Sequence, residues 1–196
     1  MKKLKVFALA LLAAFGFSAC DTNDPGEGVD YTTTPKAGVF VGAGSNTSAG
    51  SYVTSDGTVY KAADIKTNGS TNILFVGNVT ATSASIYSGT DAACTNGYVN
   101  GTYATAGQGT LGEPWSTKAS ETKFNNIKKR KADAATIYEM KASEFESTNV
   151  TIEAGDYVAF YNETLNIKGW LYINSIATSD ANTNGIVLDY TIVTIK

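Results

Sequence analysis

From Ala37 onward the hydrophobic positions come in short runs, alternate with polar ones, and are broken by Gly, Asn and Asp. Gly38-Val39-Phe40-Val41-Gly42 reads as a brief apolar strand. Ser51-Tyr52-Val53 and Thr58-Val59-Tyr60 flank Ser55-Asp56-Gly57. Asp-Gly between strand-like runs predicts a hairpin closed by a type I′ turn. Residues 72–76, 84–87, 150–152, 156–161, 169–176 and 185–195 are further strands, rich in β-branched and aromatic side chains. In the last, Val187, Asp189, Thr191, Val193 and Ile195 share one face, and Ile186, Leu188, Tyr190 and Ile192 share the other. Both faces are largely apolar, which predicts a central strand covered on both sides.

Residues 133–142 follow a different period. Asp133 is an N-cap residue type, and Ala134, Ile137, Tyr138 and Lys141 recur at helical spacing, so a short helix is expected there. The predicted fold class is all-β and mainly antiparallel, a β-sandwich with one short helix, occupying residues 37–196.

The amino-terminus has another pattern. Lys2, Lys3 and Lys5 precede an apolar stretch over residues 6–17, and Ser18-Ala19 supplies small residues before Cys20. The stretch is shorter than the roughly 20 residues that span a bilayer, so residues 1–19 read as a signal peptide. Phe17-Ser18-Ala19-Cys20 looks like a bacterial lipobox, which makes Cys20 the expected lipidation site. Two or more acyl chains give stable anchoring, whereas one is marginal. Residues 21–36 carry two prolines, two glycines, four acids and few apolar side chains. With Cys20 they read as a lipidated, flexible tether over 20–36, able to reach roughly 50 Å when extended.

Composition narrows the chemistry. The chain has 196 residues and a formal net charge of −3. Loss of the leader, with three lysines and no acids, takes that charge to −6. An acidic chain does not point to nucleic acid. There is no histidine, which removes Ser-His-Asp and Cys-His catalysis and histidine-ligated zinc. With Cys20 lipidated, Cys94 has no disulfide partner, since the chain has two cysteines.

Four features are candidates for function. The Gly-rich segment 95–115 carries Tyr98, Tyr103 and Trp115, rings able to stack on a sugar or anchor a protein partner. Asp180-Ala181-Asn182-Thr183-Asn184-Gly185 matches the first half of a calcium loop, with Asp180, Asn182 and Asn184 as alternating oxygen donors. The bidentate Glu that should follow is replaced by Thr191, so no cofactor is expected beyond this calcium candidate. Lys128-Lys129-Arg130-Lys131 is the sharpest charge run, a solvated link or an anion contact. Glu113, Glu121, Glu139, Glu144, Glu146, Glu153 and Glu163 are the carboxylates from which a glycosidase-like pair would be drawn.

Gly155-Asp156-Tyr157-Val158-Ala159-Phe160, Lys168-Gly169-Trp170-Leu171-Tyr172-Ile173-Asn174-Ser175-Ile176 and Gly185-Ile186-Val187-Leu188-Asp189-Tyr190 resemble a group of poorly characterised Bacteroides-type surface lipoproteins. The resemblance implies a β-rich, lipid-anchored envelope protein and brings no activity and no site residues. Together these features lead us to expect an outer-membrane lipoprotein, held by its lipid and facing the cell surface. Its expected role is a non-catalytic binding or structural one toward a glycan or protein partner. A small envelope hydrolase using carboxylates is the alternative.

Overall fold

Alternation with a period of two puts one side of each strand in the core and the other toward solvent. In the computed structural model of the chain, residues 30–43, 50–62, 72–91, 119–178 and 184–196 are described. They form β1 (Tyr31–Gly42), β2 (Ser51–Thr54), β3 (Val59–Lys61), β4 (Ile73–Val79), β5 (Ala84–Tyr87), β6 (Lys123–Lys128), the helix α1 (Ala134–Glu139), β7 (Asn149–Ile152), β8 (Tyr157–Asn162), β9 (Ile167–Ala177) and β10 (Gly185–Ile195). Two antiparallel sheets result, with strand orders β1-β10-β9-β8-β6 and β3-β2-β4-β5-β7. The expected sandwich with one short helix is what the chain forms.

The core lies between the sheets. Phe75 of β4 meets Phe160 of β8 at 5.9 Å and the edge of Tyr190 of β10 at 6.0 Å between ring centroids. Tyr190 is buried, and its hydroxyl donates to the Gly57 carbonyl at 2.6 Å. Burial, with a smaller push from Asp56, raises its pKa to about 12. It therefore stays a hydroxyl donor that ties the two sheets together.

β10 matches its expectation. Ile186, Leu188, Tyr190 and Ile192 are buried between the sheets, and Val193 on its other face is buried under α1. Three other expectations need correcting. Strand pairing begins at Tyr31, not at residue 37, so residues 31–36 belong to β1 rather than to a tether. An edge strand needs little burial: residues 32–36 are exposed, and pairing to β10 holds them. Pro35 is tolerated because an edge strand leaves alternate N–H groups unpaired. The β2–β3 turn is also not type I′. Gly57 has φ 75°, while Asp56 is not among the positive-φ residues. The Thr54 N–H bonds to the Thr58 carbonyl and the Gly57 N–H to the Thr54 carbonyl, so the loop has three residues and ends in a left-handed glycine. Asp56 instead accepts from Thr54 Oγ1 and the Thr58 N–H, which holds it in the loop. Finally, β6 went unforeseen. Its two asparagines are poor strand formers, but each spends its amide on a neighbouring carbonyl, Asn125 on Glu144 and Asn126 on Thr151.

The strand registers give the sandwich two distinct ends. β1 enters beside Ile195 and reaches Gly42, which pairs with Gly185. The entry end also holds Asn162 paired with Ile167. Hydrogen bonds join Asn162 there to Ser120 and Thr122, and Thr122 to Ser88. The far end holds Gly42, Lys128, Asp156 and Asn184.

Candidate functional site

The sheet β1-β10-β9-β8-β6 has an outer face that α1 covers only in part. Asp133 accepts from the Thr136 N–H and opens the helix. Ile137 buries itself against Ala159 and Val193, with Tyr31 in the same cluster. At the helix C-terminus, Lys168 Nζ donates to the Tyr138 carbonyl at 2.6 Å and the Met140 carbonyl at 2.5 Å. It also lies 5.8 Å from the Tyr138 ring centroid and 5.9 Å from that of Tyr161. Burial lowers the Lys168 pKa, and Glu144 opposes this in part. Lys168 is therefore a strut for α1, satisfying carbonyls that the helix end leaves free.

Midway along β9 the same face carries rings. Trp170 and Tyr172 sit two residues apart on β9 and so point the same way, while Gly169, Leu171 and Ile173 between and beside them are buried on the core side. Tyr157 of β8 pairs with Tyr172, with ring centroids 4.7 Å apart and planes tilted by 38°. All three rings are half-buried. Phe40 of β1, paired with Val187, is 40% exposed, the one large apolar side chain so open among the described residues. One register row runs Lys128, Tyr157, Tyr172, Asp189 across four strands. The next runs Asn125, Ala159, Trp170, Thr191, Pro35. Asp189 Oδ1 accepts from the Gly38 N–H and from Asn174 Nδ2, both at 2.7 Å. The result is a strip of half-buried rings, of which Trp170 and Tyr157 pack against the cluster under α1, with polar groups at both sides. Sequence reasoning did not pick it out. The available signal was two aromatics at alternate positions of β9 whose intervening residues are Gly and Leu.

The basic run at the end of β6 divides in two. Lys129 Nζ lies 3.1 Å from Asp156 Oδ1 and donates to the Ala154 carbonyl at 2.7 Å. Asp156 also accepts from the Glu153 N–H and from Asn126 Nδ2. Burial raises the Asp156 pKa, but these hydrogen bonds and the Lys129 charge outweigh it and hold the carboxyl below its usual value. Lys128, Arg130 and Lys131 are exposed and form no ion pair among the described residues.

The other sequence candidates fare differently. Cys20, Cys94, Tyr98, Tyr103, Glu113, Trp115, Asp180 and Asn182 lie outside the described residues. The residues that flank the segment carrying Tyr98, Tyr103 and Trp115 are fixed at the entry end. Asp91 accepts from Thr148 Oγ1 at 2.7 Å and Asn149 Nδ2 at 2.9 Å, and Ala119 bridges to Ile73. Asn184 of the calcium candidate is buried, and its amide donates to the Val79 carbonyl, which joins the two sheets. No cluster of three or more metal-ligating side chains occurs among the described residues. Of the carboxylates, Glu144 accepts from the Lys141 N–H, and Glu121 pairs with Lys123 at 3.4 Å. Glu121 and Glu163 line one surface depression of about 100 Å³, well below the roughly 300 Å³ at which small-molecule pockets begin.

No family model matches the chain, and no curated protein matches it. The crystal structure of a DUF4466 family protein from Parabacteroides merdae is similar to it, with a TM-score of 0.56 and 13% identity over 84% of this chain and 54% of that one. The chain thus spans about half the length of that protein, and at this identity the likeness is one of fold. That protein comes from the Bacteroidetes, consistent with an uncharacterised family of that group.

Proposed function

We propose that the chain is a lipid-anchored, non-catalytic binding protein of the Gram-negative outer membrane. In this reading it is displayed at the cell surface through Cys20, and its partner is a glycan. The observation that carries the reading is the strip of Trp170, Tyr172 and Tyr157 on an outer sheet face. Half-buried rings held on strands offer broad, amphipathic contact area and lose little conformational freedom on binding. A sugar ring presents C–H groups to such a surface and hydroxyls to its rim, where Asp189, Asn174 and Thr191 stand. The depression that Glu121 and Glu163 line is small, about 100 Å³, and the rings of the strip offer contact area rather than acid–base groups. A protein partner would use the same strip.

The test is retention of the purified domain on a panel of immobilised polysaccharides, with Tyr172→Ala beside it. At least one polysaccharide should be retained, and the variant should bind it at least tenfold more weakly, about 1.4 kcal/mol. A domain that retains none, or binds equally well without Tyr172, contradicts the proposal.

A further inference from the structure

We propose that the glycan is anionic, and that Lys128, Arg130 and Lys131 engage its acidic groups while the rings hold its sugar faces. This inference rests on the aromatic strip being the glycan site. Its geometry comes from the register. Lys128 is one strand from Tyr157 and two from Tyr172. At about 4.8 Å between strands, a carboxylate carried on a ring stacked over Tyr157 comes within reach of the Lys128 side chain and lies nearer to it than to Asp189. Asp189, the acid of the same row, is one strand from Tyr172 and two from Tyr157, and its Oδ1 already accepts from the Gly38 N–H and Asn174 Nδ2.

Three observations single out the basic run. First, Lys128 has φ 52°, in the left-handed region that disfavours a β-carbon. It lies at a register irregularity between Asn126 and Lys128, where its N–H bonds to Asn126 Oδ1 at 2.8 Å. Glycine would serve this backbone better, so the fold keeps a strained lysine where the side chain itself has a use. Second, the charge next to it is spent: Lys129 pairs with Asp156, which leaves Lys128, Arg130 and Lys131 exposed with no ion pair among the described residues. Like charges so close in sequence repel, and an anionic partner would relieve this. Third, the neighbouring acids are occupied. Asp156 is held by Lys129 and by Glu153 and Asn126, and Asp133 accepts from Thr136 at the start of α1.

Polygalacturonate is the anionic probe, with neutral pullulan and anionic phospholipid vesicles as comparisons. The domain should bind polygalacturonate at least tenfold more tightly than pullulan, and the affinity should fall as salt is raised from 50 to 300 mM, roughly in proportion to the contacts made. Lys128→Gly should weaken binding severalfold while leaving the melting temperature unchanged or higher, because it relieves the left-handed strain. Replacing Lys128, Arg130 and Lys131 together by Gln should remove the preference and the salt dependence. Equal binding of pullulan and polygalacturonate, unaffected by that triple replacement but lost in Tyr172→Ala, would overturn the anionic inference and leave the aromatic site standing. Polygalacturonate binding matched by vesicles and indifferent to Tyr172→Ala would overturn both.

Discussion

Gly169 sets where Trp170 lies. A β-carbon at this position would sit inside contact distance of the Phe160 ring and the Thr191 carbonyl. The strand can therefore keep Phe160 packed beneath it only with glycine there. Gly169→Ala should destabilise the domain by about 2–3 kcal/mol through overpacking, read as a lowered urea midpoint. Asp156 makes a second prediction at this scale. Its pKa is held below the usual value in the folded chain, so its stabilising contribution is full above the unfolded pKa of about 4 and is lost as pH falls below it. The acid-side loss of stability should be smaller in Asp156→Asn than in the parent, and equal curves would contradict the assignment. Some of this was legible beforehand. Asp133 was recognisable as an N-cap because Asp before a helical period does one thing well. Gly169 was not, because what it makes room for is a ring from another strand.

At the level of elements, α1 depends on its two ends more than on its six residues. Asp133→Ala should cost about 1 kcal/mol, measured by denaturant unfolding. Lys168→Met should cost a similar amount or more, since two helix-end carbonyls would lose a charged donor. Strands with a strong period, such as β5 and β10, could be read to the residue. The edges could not. β1 and β6 are held by backbone pairing and side-chain amides, and their composition resembles that of loops. The same blindness hid the aromatic strip. Trp170 and Tyr172 look like residues of the inter-sheet core, but that core lies on the opposite face of β9, and Trp170 packs instead against the cluster under α1.

At the level of the whole molecule, the sandwich has an entry end, where β1 begins, and a far end that carries Lys128 and Asn184. The aromatic strip lies on the outer face, midway along β9. Cys20→Ala should release the protein from the membrane fraction, and trypsin added to intact cells should cut at the exposed Lys128, Arg130 and Lys131. Protection until the outer membrane is opened would place the protein on the periplasmic side instead. The flanks of the segment bearing Tyr98, Tyr103 and Trp115 are fixed at the entry end. The two-sheet architecture could be read from the sequence. The polarity of the molecule could not, because it depends on which strand ends are brought together by pairing.

The most direct measurement uses Trp170 itself. The chain has two tryptophans, Trp115 and Trp170, so Trp115→Phe leaves Trp170 as the sole reporter on the strip. Titration of this variant with the polysaccharide that the domain retains should change Trp170 emission saturably, with the same affinity that retention gives. Retention with unchanged Trp170 emission would mean that the glycan binds elsewhere and would contradict the account.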